Sequence, residues 1–269
     1  MQHHMLHLIR SWALRIALIL FLLGPVAALL LYAGSASWFY PDLLPREWTL
    51  QPLLRQLGNP RTREAIVASL IVAGGTTALA LLIGLPAARV LGLRRFRGRG
   101  VVLLLLFLPN VVPPVATGMG LNILFLRLGL AGSYLGVILV HLIPVLPYAI
   151  FALLGVFARY DEGYEQQART LGAAWPTIFR RVMLPLAGPG IAVAALFAFL
   201  VSWSQYVLTL LIGGGRVITL PLLLFAAAAG GNPASIAVLA LLFAAPPLIA
   251  IALVARALTD RERIVAQQY

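Results

Sequence analysis

Lysine and cysteine are both absent from this 269-residue chain, and charged residues of every kind make up only 10% of it. Each absence removes a chemistry. Without lysine there is no Walker A phosphate loop, whose GK[ST] ending places an ammonium on the β/γ-phosphates, and no lysine Schiff base. Any ATP must then be hydrolysed by a partner. Without cysteine there is no disulfide, thiolate nucleophile, iron–sulfur ligand or cysteine zinc site. Acids are scarce too: Asp42, Glu47, Glu64, Asp161, Glu162, Glu165, Asp260 and Glu262 are the full set of 8. The remainder is dominated by apolar residues, 61% of the chain, with a mean hydropathy of +0.96. That is the composition of an integral membrane protein.

A hydrocarbon layer about 30 Å thick takes roughly 20 apolar helical residues to cross. Six stretches reach or approach that length: Ser11–Ala33, Glu64–Leu91, Val101–Leu126, Tyr134–Phe157, Gly190–Ile212 and Ser235–Leu258. All 20 basic residues are arginines, giving a net charge of +12. Arg10, Arg15, Arg89, Arg94, Arg95, Arg97, Arg99, Arg159, Arg169, Arg180, Arg181, Arg256, Arg261 and Arg263 fall on one side, and that bias puts both termini in the cytoplasm. Arginines flanking apolar runs are an orientation signal, so nucleic acid is not expected as a partner. The first apolar run follows Arg10 and Arg15 as a signal peptide would, but exceeds the usual 7–15-residue hydrophobic region, and we read it as a retained helix. His3, His4 and His7 are read as incidental, and no metal site is expected. Trp38, Phe39, Tyr40 and Trp48 suit the membrane–water interface. The apolar stretch 219–230 is too short to span and reads as an interfacial or re-entrant helix, or as a tight outer loop.

None of the acids lies mid-membrane. Ion-coupled carriers keep carboxylates there because transport uses them, so a secondary transporter or channel is only the alternative reading. An intramembrane enzyme is weaker still: His141 is the one histidine within a span, no sequence feature pairs it with a serine, and it also fits as a polar residue packed between helices. Pro109, Pro113 and Pro114 in the third span, Pro144 and Pro147 in the fourth, and Pro246 and Pro247 in the sixth predict kinks, because each proline removes an amide donor. Candidate pathway-lining residues are Asn110, Thr117, Asn122, His141, Tyr148, Ser202, Gln205, Tyr206 and Thr209. The last four fall on one helical face in the expected fifth span, as a neutral stripe that either lines a route or packs between helices.

The connection after the fourth span reads Glu165-Gln166-Gln167-Ala168-Arg169-Thr170-Leu171-Gly172, then nine residues, then Val182-Met183-Leu184-Pro185. Its residues predict a short helix with an i,i+4 pair between Glu165 and Arg169, a turn at Gly172, and a second short helix opening at Pro176 and ending before Pro185. That second helix would present Ile178 and Phe179 beside Arg180 and Arg181 as an apolar knob for a partner's groove. The spacing resembles the EAA loop of binding-protein-dependent ABC importer permeases: EAA, three residues, Gly, nine residues, I-x-L-P. Gln166 stands where the pattern has Glu, with Glu165 one place early, and Trp175-Pro176 stands where Ser-Pro-Trp is common.

The resemblance covers roughly Arg63 to Leu258. It implies an all-α, polytopic fold of about six transmembrane helices, the type I ABC importer permease fold. Residues 1–62 would form an added helix and outer connection, 63–258 the core, with the EAA-like loop at about 162–185, and 259–269 a cytoplasmic tail. It further implies a bacterial-type inner membrane location, half of a solute pathway, and partnership with ABC ATPase subunits, a second permease, identical or different, and an extracytoplasmic solute-binding protein. ATP and Mg would be bound in the ATPase, and this chain would hold no cofactor. The proline-rich third span and Ser202-Trp203-Ser204-Gln205-Tyr206 look most similar to the group serving spermidine/putrescine, ferric iron, thiamine, molybdate and sulfate. Polyamine members often carry an acid near the position of Ser204 and Gln205, and none stands there.

Overall fold

A computed structural model describes residues 2–36, 38, 42 and 44–266. Phe39 and Tyr40 lie outside the described residues, as do the side chains of His3, His4, His7, Arg10, Arg261 and Arg263. Two compact units form, one from residues 1–63 with 223–245 and the other from 64–222 with 246–269. The fold is helical, and a single bridge between Ser35 and Trp48 is the only β pairing among the described residues.

The helices are α1 Gln2–Ala33, α2 Gln51–Gly58, α3 Pro60–Leu93, α4 Arg99–Phe107, α5 Pro114–Arg127, α6 Tyr134–Phe157, α7 Gly163–Thr170, α8 Trp175–Ile178, α9 Leu184–Trp203, α10 Val207–Gly213, α11 Leu220–Ala229 and α12 Pro233–Ala266. Among the described residues four helical stretches are long and apolar enough to cross a bilayer: α3, α6, Trp175–Trp203 and Pro233–Thr259. The pair α4 and α5 supplies a fifth if counted together. The first expected span lies within α1, whose apolar part Ala17–Ala33 rises about 25 Å at 1.5 Å per residue. The stretch 219–230 is a helix, α11, rather than an irregular loop.

Two expected spans are not continuous helices. The third breaks at Leu108–Asn110, and its halves meet at 92°. Pro109, Pro113 and Pro114 cannot donate to the ladder, and Pro114 instead opens α5, where its missing N–H costs no hydrogen bond. The fifth span runs from Trp175 to Trp203, stops at Ser204, and resumes only as the short α10. By contrast α6 continues through Pro144 and Pro147, and α12 through Pro246 and Pro247.

In the second unit, one cluster joins Ala88 and Leu91 of α3 to Ile150, Leu153 and Phe157 of α6 and to Met183, Ala187 and Ala194. Another joins Val72, Phe125, Val137, Val140, Leu208 and Ile212, so α3, α5, α6 and α10 share a core. Lipid is as apolar as these side chains, and helices in it associate through close packing of small residues rather than by escaping water. The buried Ala68, Ala80, Ala187, Ala194 and Ala198 fit that rule. So does Gly190 of α9, where an added Cβ would collide with Val156 of α6. In the first unit, Ala33, Ala237 and Val238 form a smaller core, and the rings of Tyr32 and Trp38 lie 4.5 Å apart.

Candidate functional site

The loop between α6 and α9 is tied to α3 by charge. Arg89, one turn from the end of α3, reaches Glu165 of α7 at 2.7 Å, and the Glu165 side chain is only 3% exposed. Tyr160 donates to the other carboxylate oxygen at 2.9 Å. Burial, reinforced by that bond to Glu165, pushes the Tyr160 phenol above its usual range, so it remains a donor. The Arg89 guanidinium also lies 4.8 Å from the Trp175 ring centre and 3.1 Å from Met183 Sδ. A second, more exposed pair joins Arg94 to Glu162 at 3.1 Å. The expected Glu165–Arg169 pair does not form. Glu165 faces inward to a span, while Arg169 lies over Trp175 at 5.9 Å.

Gly172 takes φ +81°, and α7 ends in a Schellman motif: Ala173 N–H bonds Ala168 O and Gly172 N–H bonds Arg169 O. The expected end of the second helix before Pro185 is overturned. Phe179–Met183 forms a π turn, with Leu184 N–H bonding Phe179 O, and the helix continues into the span. Pro185 has no N–H and crowds the carbonyl four residues back, and the wider turn accommodates both defects. The expected knob is also revised. Ile178 is buried and Phe179 packs half-buried against the core, whereas Leu171 is 87% exposed and Trp175 46%. Gln166, Gln167, Gly172, Arg180, Arg181, Leu184 and Pro185 are exposed; Ala168 and Val182 are half-buried.

The predicted pathway residues divide into three sets. Asn110, Thr117, Tyr148 and Gln205 come together around a cavity of about 150 Å³ at the elbow between α4 and α5. His141, Ser202 and Thr209 form a separate buried network, with Nδ1 2.9 Å from Ser202 Oγ and Nε2 2.9 Å from Thr209 Oγ1. Thr209 donates to Gln205 O at 3.1 Å, so it accepts from His141 Nε2–H, and Ser202 donates to Nδ1. Ser202 and Thr209 are fully buried, and the network pins α6 across the gap between α9 and α10. Asn122 bonds Leu211 O, tying α5 to α10, and Tyr206 sits half-buried at the start of α10. The stripe of four on one helical face is thus broken, because Ser204–Tyr206 is not helical. Sequence spacing could not reveal the partners Arg89 and Glu165, 76 residues apart. Among the described residues, no three His, Cys, Asp or Glu side chains lie close enough to hold a metal.

Long apolar helices around a small cavity lined by neutral polar groups define a polytopic membrane protein and leave a transport role open. Comparison of sequences specifies it further: residues 80–264 match the sequence model of the binding-protein-dependent transport system inner membrane component, and the chain belongs to that family. The molybdenum transport system permease protein ModB of Mycobacterium tuberculosis (strain ATCC 25618 / H37Rv) is 34% identical over 90% of this chain and 91% of its own. The molybdate/tungstate transport system permease protein WtpB of Pyrococcus abyssi (strain GE5 / Orsay) is 35% identical over 55% of this chain and 59% of its own. The crystal structure of a bacterial ABC transporter involved in the import of the acidic polysaccharide alginate superposes with a TM-score of 0.75 at 19% identity, covering 95% of this chain and 97% of that one. The fold is that of a type I importer permease, and the chain is a permease subunit of an ABC transport system.

Proposed function

We propose that this chain forms one half of the pathway of an ATP-driven importer for a tetrahedral oxyanion of the molybdate kind. The observation that supports it most is the 34% identity to a molybdenum permease along nearly the whole length of both chains. With no lysine for a phosphate loop, ATP and Mg would be held by a separate ATPase, and residues 165–185 are the segment that would couple to it. A second permease, identical or different, completes the pathway, and an extracytoplasmic solute-binding protein delivers the solute. A related solved transporter was crystallised in complex with an alginate pentasaccharide-bound periplasmic protein. Both termini lie in the cytoplasm of a bacterial-type inner membrane, following the arginine bias. ATP closure drives the cycle by binding the outward-facing permease better than the inward-facing one, since only differential affinity shifts such an equilibrium.

The test is the solute-binding protein that serves this permease. Calorimetry on it is expected to show tight molybdate or tungstate binding, and vesicles containing the assembled complex are expected to accumulate that anion with ATP. A binding protein that prefers a polyamine or sugar overturns the oxyanion assignment and leaves the permease class intact.

A further inference from the structure

The elbow cavity has features beyond a generic route. Asn110 Nδ2 is buried there and, among the described residues, has no hydrogen-bond partner. An orphan donor at membrane depth is costly, and such groups mark the path of a polar ligand. Gln205 lines the same cavity from the gap after α9, Thr117 from the first turns of α5, and Tyr148 from α6. Every one of these side chains can donate a hydrogen bond, and no carboxylate lines the cavity. The opening of α5 adds to this, with Pro114 and Thr117 on the cavity wall and no side chain capping the helix.

Chemistry narrows the ligand. The cavity offers neutral donors and no carboxylate to pair a cation, which favours a compact anion over a polyamine. We propose that the elbow cavity, through Asn110, Gln205, Thr117 and Tyr148, is a transit station for a tetrahedral oxyanion, held by neutral donors alone. This rests on the oxyanion reading above. Neutral donors suit transit: they replace part of the anion's hydration without the countercharge that would trap it, and conduction needs binding weak enough to release.

Uptake of isotopically labelled molybdate into proteoliposomes holding the full complex, per assembled complex, tests the station with charged and neutral variants. Asn110→Asp and Gln205→Glu keep the side-chain size while adding a like charge, and each is expected to slow uptake at least about tenfold more than Asn110→Ser and Gln205→Met do. Equal effects of charged and neutral changes, or normal uptake by the carboxylate variants, overturn the proposal. Should Asn110→Asp fail to assemble, Gln205→Glu decides by the same comparison. A wild-type complex that moves molybdate beside indifferent carboxylate variants removes the station but keeps the substrate. A wild-type complex that carries another solute and no molybdate removes both.

Discussion

Arg89 is the residue on which the loop's position depends. Its guanidinium bonds Glu165, faces the Trp175 ring and reaches Met183, so one side chain on α3 holds α7, α8 and the π turn at once. A buried pair adds little when compared with apolar replacements, but removing one member strands the other, at a cost of about 3–5 kcal/mol. Glu165→Ala and Arg89→Ala are each expected to lower the thermal midpoint of the purified protein clearly, and the double variant to lose far less than the two losses combined. Additive losses would mean the pair is not coupled. The resemblance to the EAA pattern could mark Glu165 as notable, but local spacing suggested Arg169 as its partner. The true partner is 76 residues away, and only the fold brings it near.

At the scale of the element, Gly172 ends α7 and sets the turn into α8. Its φ of +81° costs a residue with a Cβ about 1–2 kcal/mol, while asparagine tolerates such a position better. Gly172→Val is therefore expected to uncouple ATP hydrolysis from uptake while leaving membrane insertion intact, and Gly172→Asn to retain most coupling; equal, full transport in both would refute the proposed coupling role of this turn. This turn was legible from sequence, because a Schellman ending is written in a few adjacent residues. The second to sixth spans were legible for the same reason, since hydropathy is local; the first has only the 17-residue apolar stretch Ala17–Ala33, shorter than the helices that qualify as spans. Span ends were not. Pro185 suggested a stop, yet a π turn carries the helix through it, and nothing local shows that α9 ends at Trp203. That break removes Gln205 from the expected stripe and turns it to the elbow, while Ser202 and Thr209 pair with His141.

For the whole molecule, the proposed docking of an ATPase turns on which apolar groups the loop exposes. Ile178 and Phe179 look available in sequence, but the helix that opens at Trp175 continues through the π turn into the span and carries them inward, Ile178 to full burial. The exposed alternative is Leu171, at the tip of α7 with 87% of its surface free, beside Gln167 and half-exposed Trp175. Burying a leucine in a partner's groove is worth about 1.5–3 kcal/mol, or roughly ten- to a hundredfold in affinity. Leu171→Ser should weaken capture of the partner ATPase by about that factor, read by titration in detergent, and leave the thermal midpoint of the isolated permease within error. Ile178→Ser should do the reverse first, lowering the midpoint as a hydroxyl is left in the packed interior. If Leu171→Ser binds the ATPase normally while Ile178→Ser folds normally but fails to bind it, the docking surface is the one that the sequence pattern suggested, and the inward packing of Ile178 does not hold in the assembled transporter.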